Sequence, residues 1–351
     1  DNQLWFSLTG DGAGSYNFQT GNQTFYTHQT GISSLVRSNQ VSSIYEDFSG
    51  NLWIGHMGQG ISILNLYQKS FSSFRHVPGD PYSLSENTVM CFNETNDGML
   101  FGMDNDGINI LYQDANTGER RFEKMLWPDH FYTPVPLSIW NIAREYENDY
   151  WMATNFGLIH SRKQGNNWQH QQHILAQDQG IRLRKIFLDE NHNMWVGTHS
   201  GLFLFPFNQR DSMNYHLFLP DQDSPGSITD LEITEFLVDS KDRFWIGTRD
   251  QGVNLLQSDY SDLNLSGTNP PVLNFKVFSA GDNDHSLNNN EINCLFEYYD
   301  GTIWIGNQGG GINILDPVTG QMEYITTEEG LPGNNVFGIL SDDQGNLWLS
   351  T

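Results

Sequence analysis

The sequence predicts an all-β fold, a seven-bladed β-propeller whose blades are four-stranded antiparallel sheets. Three observations support this class. An aromatic residue recurs every 44–59 positions, a small residue follows each aromatic two positions later, and glycine-containing turns separate short apolar runs. Repeats of about 40–50 residues that contain several short strands are typical of propellers. The 3.6-residue apolar periodicity of a helical solenoid is absent.

The recurring aromatic residue is expected in the second strand of each blade. It occurs at Trp5, Trp53, Phe101, Trp151, Trp195, Trp245, Trp304 and Trp348. The small residue two positions later is Ser7, Gly55, Gly102, Ala153, Gly197, Gly247, Gly306 or Ser350. Residues two apart share one face of a strand. The pattern therefore predicts a large ring beside a gap, a surface on which neighbouring sheets can pack.

First strands are expected before each aromatic, at 41–47, 89–95, 139–145, 183–189, 233–239, 292–298 and 336–342. The N-terminus opens instead at a second strand, 4–8. The strand at 336–342 is expected to complete blade 1, so that N- and C-terminal strands close the ring and remove exposed sheet edges. The segment 347–351 competes with 4–8 for one slot, so that either one of them is displaced or the chain was cut from a longer array. An eight-bladed ring is the weaker alternative.

The expected organisation is a single propeller over residues 1–351. Blade 1 comprises about 1–30 plus 336–342, and blades 2–7 cover about 41–326. The net charge of −25 disfavours nucleic acid as a partner, because phosphate would be repelled. No apolar run is long enough to span a membrane, so no membrane insertion is expected within this segment. Two cysteines, Cys91 and Cys294, cannot build a disulfide framework and are predicted to be free thiols.

Two segments carry a family likeness: NQVSSIYEDFSGNLWIGHMGQGISIL at 39–64 and NNVFGILSDDQGNLWLST at 334–351, with supporting matches at 80–89 and 282–292. They resemble the two-component regulator propeller repeat. The likeness weakens in blade 3, where Phe101 replaces Trp, and in blade 4, where 147–150 lacks the turn glycine. The resemblance implies a non-catalytic, periplasmic sensor region of a membrane-anchored bacterial signalling receptor.

The same resemblance implies particular partners. These are a small-molecule or oligosaccharide ligand and neighbouring receptor domains, namely a second propeller, a β-sandwich and an output domain, with a membrane helix beyond the β-sandwich. A homodimer is left open. Signalling would then proceed by domain or dimer rearrangement. The family has no fixed ligand-binding motif, so no site residue is carried over from it.

Candidate ligand residues come from loops, because propellers place binding residues on loops held by a rigid scaffold. The turns after the second strands and the loop between blades 3 and 4 supply polar, amide and aromatic side chains suited to sugars. The set is His56, Asp104, Asn105, Trp127, Tyr132, Asn155, Phe156, His199, Arg249, Asp250, Asn307 and Gln308. The third residues of the first strands are expected to line the channel, where Lys185 and Glu235 on adjacent blades predict an ion pair.

The residue patterns give less support to a metal site or to an enzyme than to a sensor. His170 and His173, three apart on a strand, point to opposite faces and cannot share one ion. The oxygen-rich turn at 189–193 resembles the start of a calcium loop but lacks its later glutamate, so a plain turn is favoured. Residues 341–348 resemble a sialidase Asp-box, but no arginine cluster or nucleophile pair accompanies them. No cofactor or metal is predicted. A glycan-active glycosidase or lyase and a protein-interaction scaffold remain the alternatives.

Overall fold

The structure, a computed structural model, describes most of the chain. The described residues are 3–8, 12–18, 21–28, 36–47, 51–65, 70–96, 98–113, 120–131, 136–165, 167–175, 181–224, 226–261, 263, 265, 270–342 and 347–351. They form seven β-sheets, the blades of a seven-bladed β-propeller, which confirms the predicted class. No helix in this described part has the length and hydrophobicity that a membrane span needs.

Six blades are four-stranded sheets whose strands follow one another in chain order. In blade 2, β4 is Val41–Glu46, β5 Asn51–His56, β6 Gly60–Asn65 and β7 Ser70–Phe74. In blade 3, β8 is Val89–Thr95, β9 Gly98–Met103, β10 Ile108–Gln113 and β11 Arg120–Lys124. In blade 4, β12 is Ile139–Tyr146, β13 Asp149–Thr154, β14 Gly157–Gln164 and β15 Asn167–His173.

The remaining four-stranded blades follow the same order. In blade 5, β16 is Leu183–Leu188, β17 Met194–Thr198, β18 Leu202–Phe205 and β19 His216–Phe218, with a 3-10 helix at Phe207–Ser212 before β19. In blade 6, β20 is Ile233–Val238, β21 Phe244–Thr248, β22 Val253–Leu256 and β23 Phe275–Phe278. In blade 7, β24 is Ile292–Glu297, β25 Ile303–Asn307, β26 Gly311–Leu315 and β27 Met322–Ile325.

The chain divides into two compact units, residues 1–142 with 337–351 and residues 143–336. The first unit contains the sheet that joins both chain ends, blade 1. Its strands are β28 at Gly338–Ser341, β29 at Leu347–Ser350, β1 at Gln3–Leu8, β2 at Gly12–Asn17 and β3 at Gln23–Tyr26, in that spatial order.

Blade 1 departs from the predicted four antiparallel strands. The C-terminal strand β29 pairs antiparallel with β28, and β1 then adds to β29 in parallel, with Trp5 opposite Trp348. The two indoles stack with centroids 5.6 Å apart. The expected competition for one slot is therefore resolved by a fifth strand. Each strand gives the other a backbone partner along an edge that would otherwise be open.

A β-bulge recurs in the first strand of five blades, one residue into the strand. The register shifts between the first and third residues of β4, β8, β16, β20 and β24. The third residue is thereby set opposite the glycine that follows the recurring aromatic: Ser43 opposite Gly55, Cys91 opposite Gly102, Lys185 opposite Gly197, Glu235 opposite Gly247 and Cys294 opposite Gly306. The bulge re-aims a single side chain without ending the pairing.

The glycine leaves room for a branched residue that begins the following first strand or lies just before it. A Cβ added at Gly197 would lie 2.8 Å from Cγ2 of Ile233, and one at Gly247 would lie 2.8 Å from Cγ2 of Ile292. At Gly306 an added Cβ would lie 2.8 Å from Cγ1 of Val336 and 2.5 Å from Sγ of Cys294, which belongs to the same blade. In blades 5, 6 and 7, the predicted gap beside the ring is thus filled by a side chain at the start of the next repeat.

We expect Gly197→Ala to destabilise the protein by about 1–3 kcal/mol, since the added methyl group overlaps the buried side chain of Ile233. The matched control is Gly338→Ala, where an added Cβ would meet nothing closer than Cβ of Ser350 at 3.8 Å. Urea unfolding of both variants measures the difference. Equal midpoints for the two variants would contradict this packing role.

Candidate functional site

The turns between first and second strands hold carboxylates whose bonds are internal. The carboxylate of Asp189 accepts the backbone N–H groups of Asn191 and Asn193 at 3.0 and 2.8 Å, and the indole N–H of Trp195 at 3.2 Å. These contacts are those of a plain turn, the interpretation that the sequence favoured over a calcium loop. The carboxylate therefore organises the fold at this turn.

A cluster that the sequence did not predict lies in the second unit. Among the described residues, Glu145, Asp149 and His160 form a group that could hold a metal ion, because their possible ligand atoms lie within 4.8 Å of one another. Asp149 already pairs with His160 and Arg162, and these partners lower the pKa of its carboxyl against the opposing effect of burial. Glu145 pairs with the buried Arg210. Two guanidinium groups thus supply the positive charge that a metal would bring.

In the first unit, the predicted ligand residues differ in accessibility. His56 is fully buried, and its Nε2 lies 2.8 Å from the Ser62 hydroxyl, so it presents no surface to a ligand. Asp104 accepts a bond from the Ser138 hydroxyl at 2.8 Å, and Asn105 is exposed in a left-handed turn with φ 70°. Trp127 is half-buried and stacks on Phe131 with centroids 6.0 Å apart. Tyr132 lies outside the described residues.

In the second unit, the predicted ligand residue Asn307 has no exposed surface. Its side chain is fully buried and donates to the carbonyl of Asn289 at 3.3 Å. The other predicted residues there are half-buried or exposed: Asn155, Phe156, His199, Arg249, Asp250 and Gln308. The sequence pattern located the turns correctly, but it could not tell which member of each turn folds inward.

Four charged side chains form a continuous series that we call the charge ladder. Arg184 contacts Glu232 at 2.7 Å, and Arg249 lies 3.9 Å from Glu232 and 3.0 Å from Glu291. All four side chains are about 25–42% exposed. Gln308 adjoins the ladder, because its backbone N–H donates to the carbonyl of Glu291 at 3.0 Å. The ladder therefore presents guanidinium and carboxylate groups side by side across blades 5, 6 and 7, next to the backbone of Gln308.

Only Arg249 of the ladder was singled out from the sequence. Arg184, Glu232 and Glu291 were missed because they lie at or just before the starts of first strands, whereas attention fell on the turns after the second strands. The available signal was the recurrence of a glutamate, Glu232 and Glu291, one residue before the first strands of blades 6 and 7. The ion pairs of the ladder gain modest energy at partial exposure, so their arrangement matters more than their contribution to stability.

The predicted ion pair between Lys185 and Glu235 is present, with Nζ 2.7 Å from Oε2. Cys294, at the equivalent position of blade 7, is buried, and burial together with the nearby Glu235 carboxylate raises the pKa of its thiol to about 12. Cys294 and the half-buried Cys91 are both free thiols, as predicted. With so high a pKa, Cys294 is a poor nucleophile at neutral pH.

Burial lowers the pKa of His56 from 6.5 to about 4. The unfolded chain therefore binds a proton in the window between these values, whereas the folded chain does not. We expect stability to be complete above about pH 6.5 and to fall by about 3 kcal/mol as the pH drops to about 4.

The measurement is urea unfolding at neutral pH and at about pH 5, with His56→Gln as the comparison. The amide of glutamine keeps a polar group near Ser62 but does not titrate, so its variant should lose less stability on acidification. His170, whose pKa burial also lowers to about 4, is common to both proteins. Parallel pH profiles for the two proteins would show that His56 has no such effect.

The comparisons with known proteins agree with this architecture. Three segments, residues 36–58, 286–309 and 330–351, match the family model described as two component regulator propeller. The chain thus contains two-component regulator propeller repeats, which confirms the resemblance predicted from the sequence. No curated protein sequence matches the chain.

Solved structures share the fold at low identity. The extracellular domain of a putative hybrid two component system from B. thetaiotaomicron has a TM-score of 0.65 and 21% identity, over 99% of this chain and 48% of that one. PorZ, a bacterial surface component of the type-IX secretion system of Porphyromonas gingivalis, has a TM-score of 0.67 and 16% identity, over 97% and 48%. A protein from Lactobacillus plantarum has a TM-score of 0.60 and 9% identity, over 93% and 95%. The chain spans about half the length of the first two.

Proposed function

We propose that the chain is a non-catalytic sensor propeller of a bacterial signalling receptor, located outside the cytoplasm, in the periplasm. It binds a small ligand, an oligosaccharide, and signals through rearrangement of neighbouring domains or of a dimer. The repeats support the class of protein. The charge ladder is the observation that carries the proposed site, because it sets planar guanidinium groups beside carboxylates on partly exposed surface.

Sugar hydroxyls both donate and accept hydrogen bonds, and the ladder offers both kinds of partner. Glu232 and Glu291 accept, whereas Arg249 between them donates. A ligand that binds the Arg249 guanidinium would weaken the contacts of Arg249 with Glu232 and Glu291. Because Glu232 and Glu291 precede the first strands of blades 6 and 7, such a ligand would bias the relative positions of those strands.

The binding step requires no covalent chemistry. Glu145 and Asp149, two buried carboxylates that lie close together, are already neutralised by arginine partners. A glycosidase needs two carboxylates that face one substrate cleft at a defined separation. Because each is already paired with an arginine, neither Glu145 nor Asp149 is free to face a substrate.

A thermal-shift screen against a library of neutral and weakly charged oligosaccharides tests the proposal. A ligand at about 100 times its dissociation constant should stabilise the protein by about 2.7 kcal/mol and be recovered unchanged. Arg249→Ala should remove the shift. The control Arg121→Ala, which alters an exposed pair with Glu123, should retain it. A cleaved ligand would overturn the proposal in favour of an enzyme, and no stabilisation by any glycan would favour a scaffold.

A further inference from the structure

Blade 7 contains a pocket of about 530 Å³ on a part of the second unit that the charge ladder does not use. Its walls come from the turn between β24 and β25, the turn between β26 and β27, and residues of the adjoining strands β25, β26 and β27. Lys241 adds a side chain from the corresponding turn of blade 6. Two aromatic rings line it, Tyr298 and Trp304, with centroids 5.3 Å apart and an interplanar angle of 36°.

Trp304 differs from the recurring tryptophans of the other blades. In five blades the indole N–H donates to a carboxylate six residues earlier and the ring is at least 97% buried: Trp53 with Asp47, Trp151 with Glu145, Trp195 with Asp189, Trp245 with Asp239 and Trp348 with Asp342. In blade 7 that position holds Tyr298, and Trp304 is only half-buried. The tryptophan ring is buried in the core of those five blades, whereas in blade 7 it is partly accessible to a ligand.

The missing carboxylate is replaced by an indirect connection. The indole N–H of Trp304 donates to the Thr302 hydroxyl at 3.2 Å, and that hydroxyl donates to Asp300 at 2.6 Å. The acidic side chain connected to the indole N–H is therefore Asp300, at the rim of the pocket, and the connection runs through Thr302. This connection links the exposed ring and the acidic rim as parts of one local structure.

The rim is negatively charged. Asp300, Asp316 and Glu323 supply three carboxylates, and Lys241 is the single positive charge among the described lining residues. Hydrogen bonds from Thr302 and from Thr319 hold the pKa of Asp300 and of Asp316, respectively, below the ordinary value. Anions are therefore disfavoured. The carboxylates of Asp300 and Asp316 are held by turn N–H groups, so they are not free to converge on a metal ion.

We propose that this pocket binds a small organic ammonium ion, with Trp304 and Tyr298 contacting the cationic group and the rim carboxylates balancing its charge. Indole is the aromatic side chain that attracts cations most strongly, through the negative face of its ring. Nearby carboxylates raise the local concentration of cations and disfavour anions. The site is separate from the charge ladder and is independent of the proposed oligosaccharide.

The probe is choline chloride, titrated into the whole chain at constant ionic strength while the indole N–H signals are followed by heteronuclear NMR. Trp304→Phe assigns the signal. We expect the Trp304 signal to shift with a dissociation constant on the order of 1 mM, and the buried indoles to stay in place. Dimethylbutanol, in which carbon replaces the nitrogen of choline, is the matched neutral ligand and should produce no comparable shift.

Charge is tested with two glutamates on exposed positions. Glu323→Gln, within the pocket, should weaken choline binding roughly threefold to tenfold, because one balancing charge is lost. Glu328→Gln, outside it, removes the same net charge and should leave binding unchanged. Three results would overturn the proposal: equal binding of dimethylbutanol, a Trp304 shift with glucose but not choline, or no shift at all.

Discussion

Truncation of Trp245 to alanine is expected to lower the free energy of unfolding by about 3–5 kcal/mol. The side chain is fully buried, and its indole N–H donates to Asp239 at 2.8 Å. The Arg243 guanidinium lies 5.5 Å from the ring centroid. Removal of the ring leaves a cavity and deprives a buried carboxylate of a donor, so two costs add. Urea unfolding followed by circular dichroism measures the loss.

Trp304→Ala is the matched control for this prediction, since it removes the same residue type at the same repeat position. Trp304 is half-buried, and its N–H bonds to a hydroxyl instead of a carboxylate. We expect less than about half of the Trp245 effect, because hydrophobic stabilisation scales with the apolar area removed from water. Equal losses would mean that the ring of Trp304 is as structural as the others.

The second large effect is expected at Glu145, whose replacement by alanine should cost about 3–5 kcal/mol. Glu145 and Arg210 are 2% and 8% exposed, and the same carboxylate accepts the indole N–H of Trp151 at 2.8 Å. The guanidinium also lies 5.3 Å from the Trp151 ring centroid. Without Glu145, a buried cation loses its counter-charge. The measurement is the shift in the midpoint of urea unfolding.

Two controls separate charge burial from the loss of a contact. Glu123→Ala breaks an exposed pair with Arg121 and should change stability by no more than about 0.5 kcal/mol. Glu145→Leu combined with Arg210→Met removes both buried charges and should restore much of the loss. A double variant as unstable as Glu145→Ala would argue that the geometry of the pair, and not its unbalanced charge, holds blades 4 and 5 together.

The fold was predictable because the same sequence pattern recurs along the chain. The aromatic at Trp195 and the small residue at Gly197 identify a second strand in one blade, and seven further copies support the same assignment. Blade 1 was less predictable, because 4–8 and 347–351 have the same pattern. Sequence alone described them as competitors, whereas the structure pairs them in parallel.

The candidate site was predictable only in part. The turns were located, but His56 and Asn307 are buried because their side chains bond to Ser62 and to the carbonyl of Asn289. Those partners come from a neighbouring strand and a preceding loop, which no local pattern reveals. The exposure of Trp304 did have a signal in the sequence, the tyrosine at Tyr298 where the other tryptophans have an acid.

The bulge and glycine of blades 5, 6 and 7 have a consequence for how the second unit opens. Ile233 fills the space at Gly197, Ile292 fills the space at Gly247, and Val336 fills the space at Gly306. In each of these blades, the glycine is covered by a side chain from the start of the next blade. The glycine can therefore become exposed to solvent only when that next blade moves away. Amide hydrogen exchange should therefore report blades 5, 6 and 7 as one cooperative opening unit rather than three independent ones.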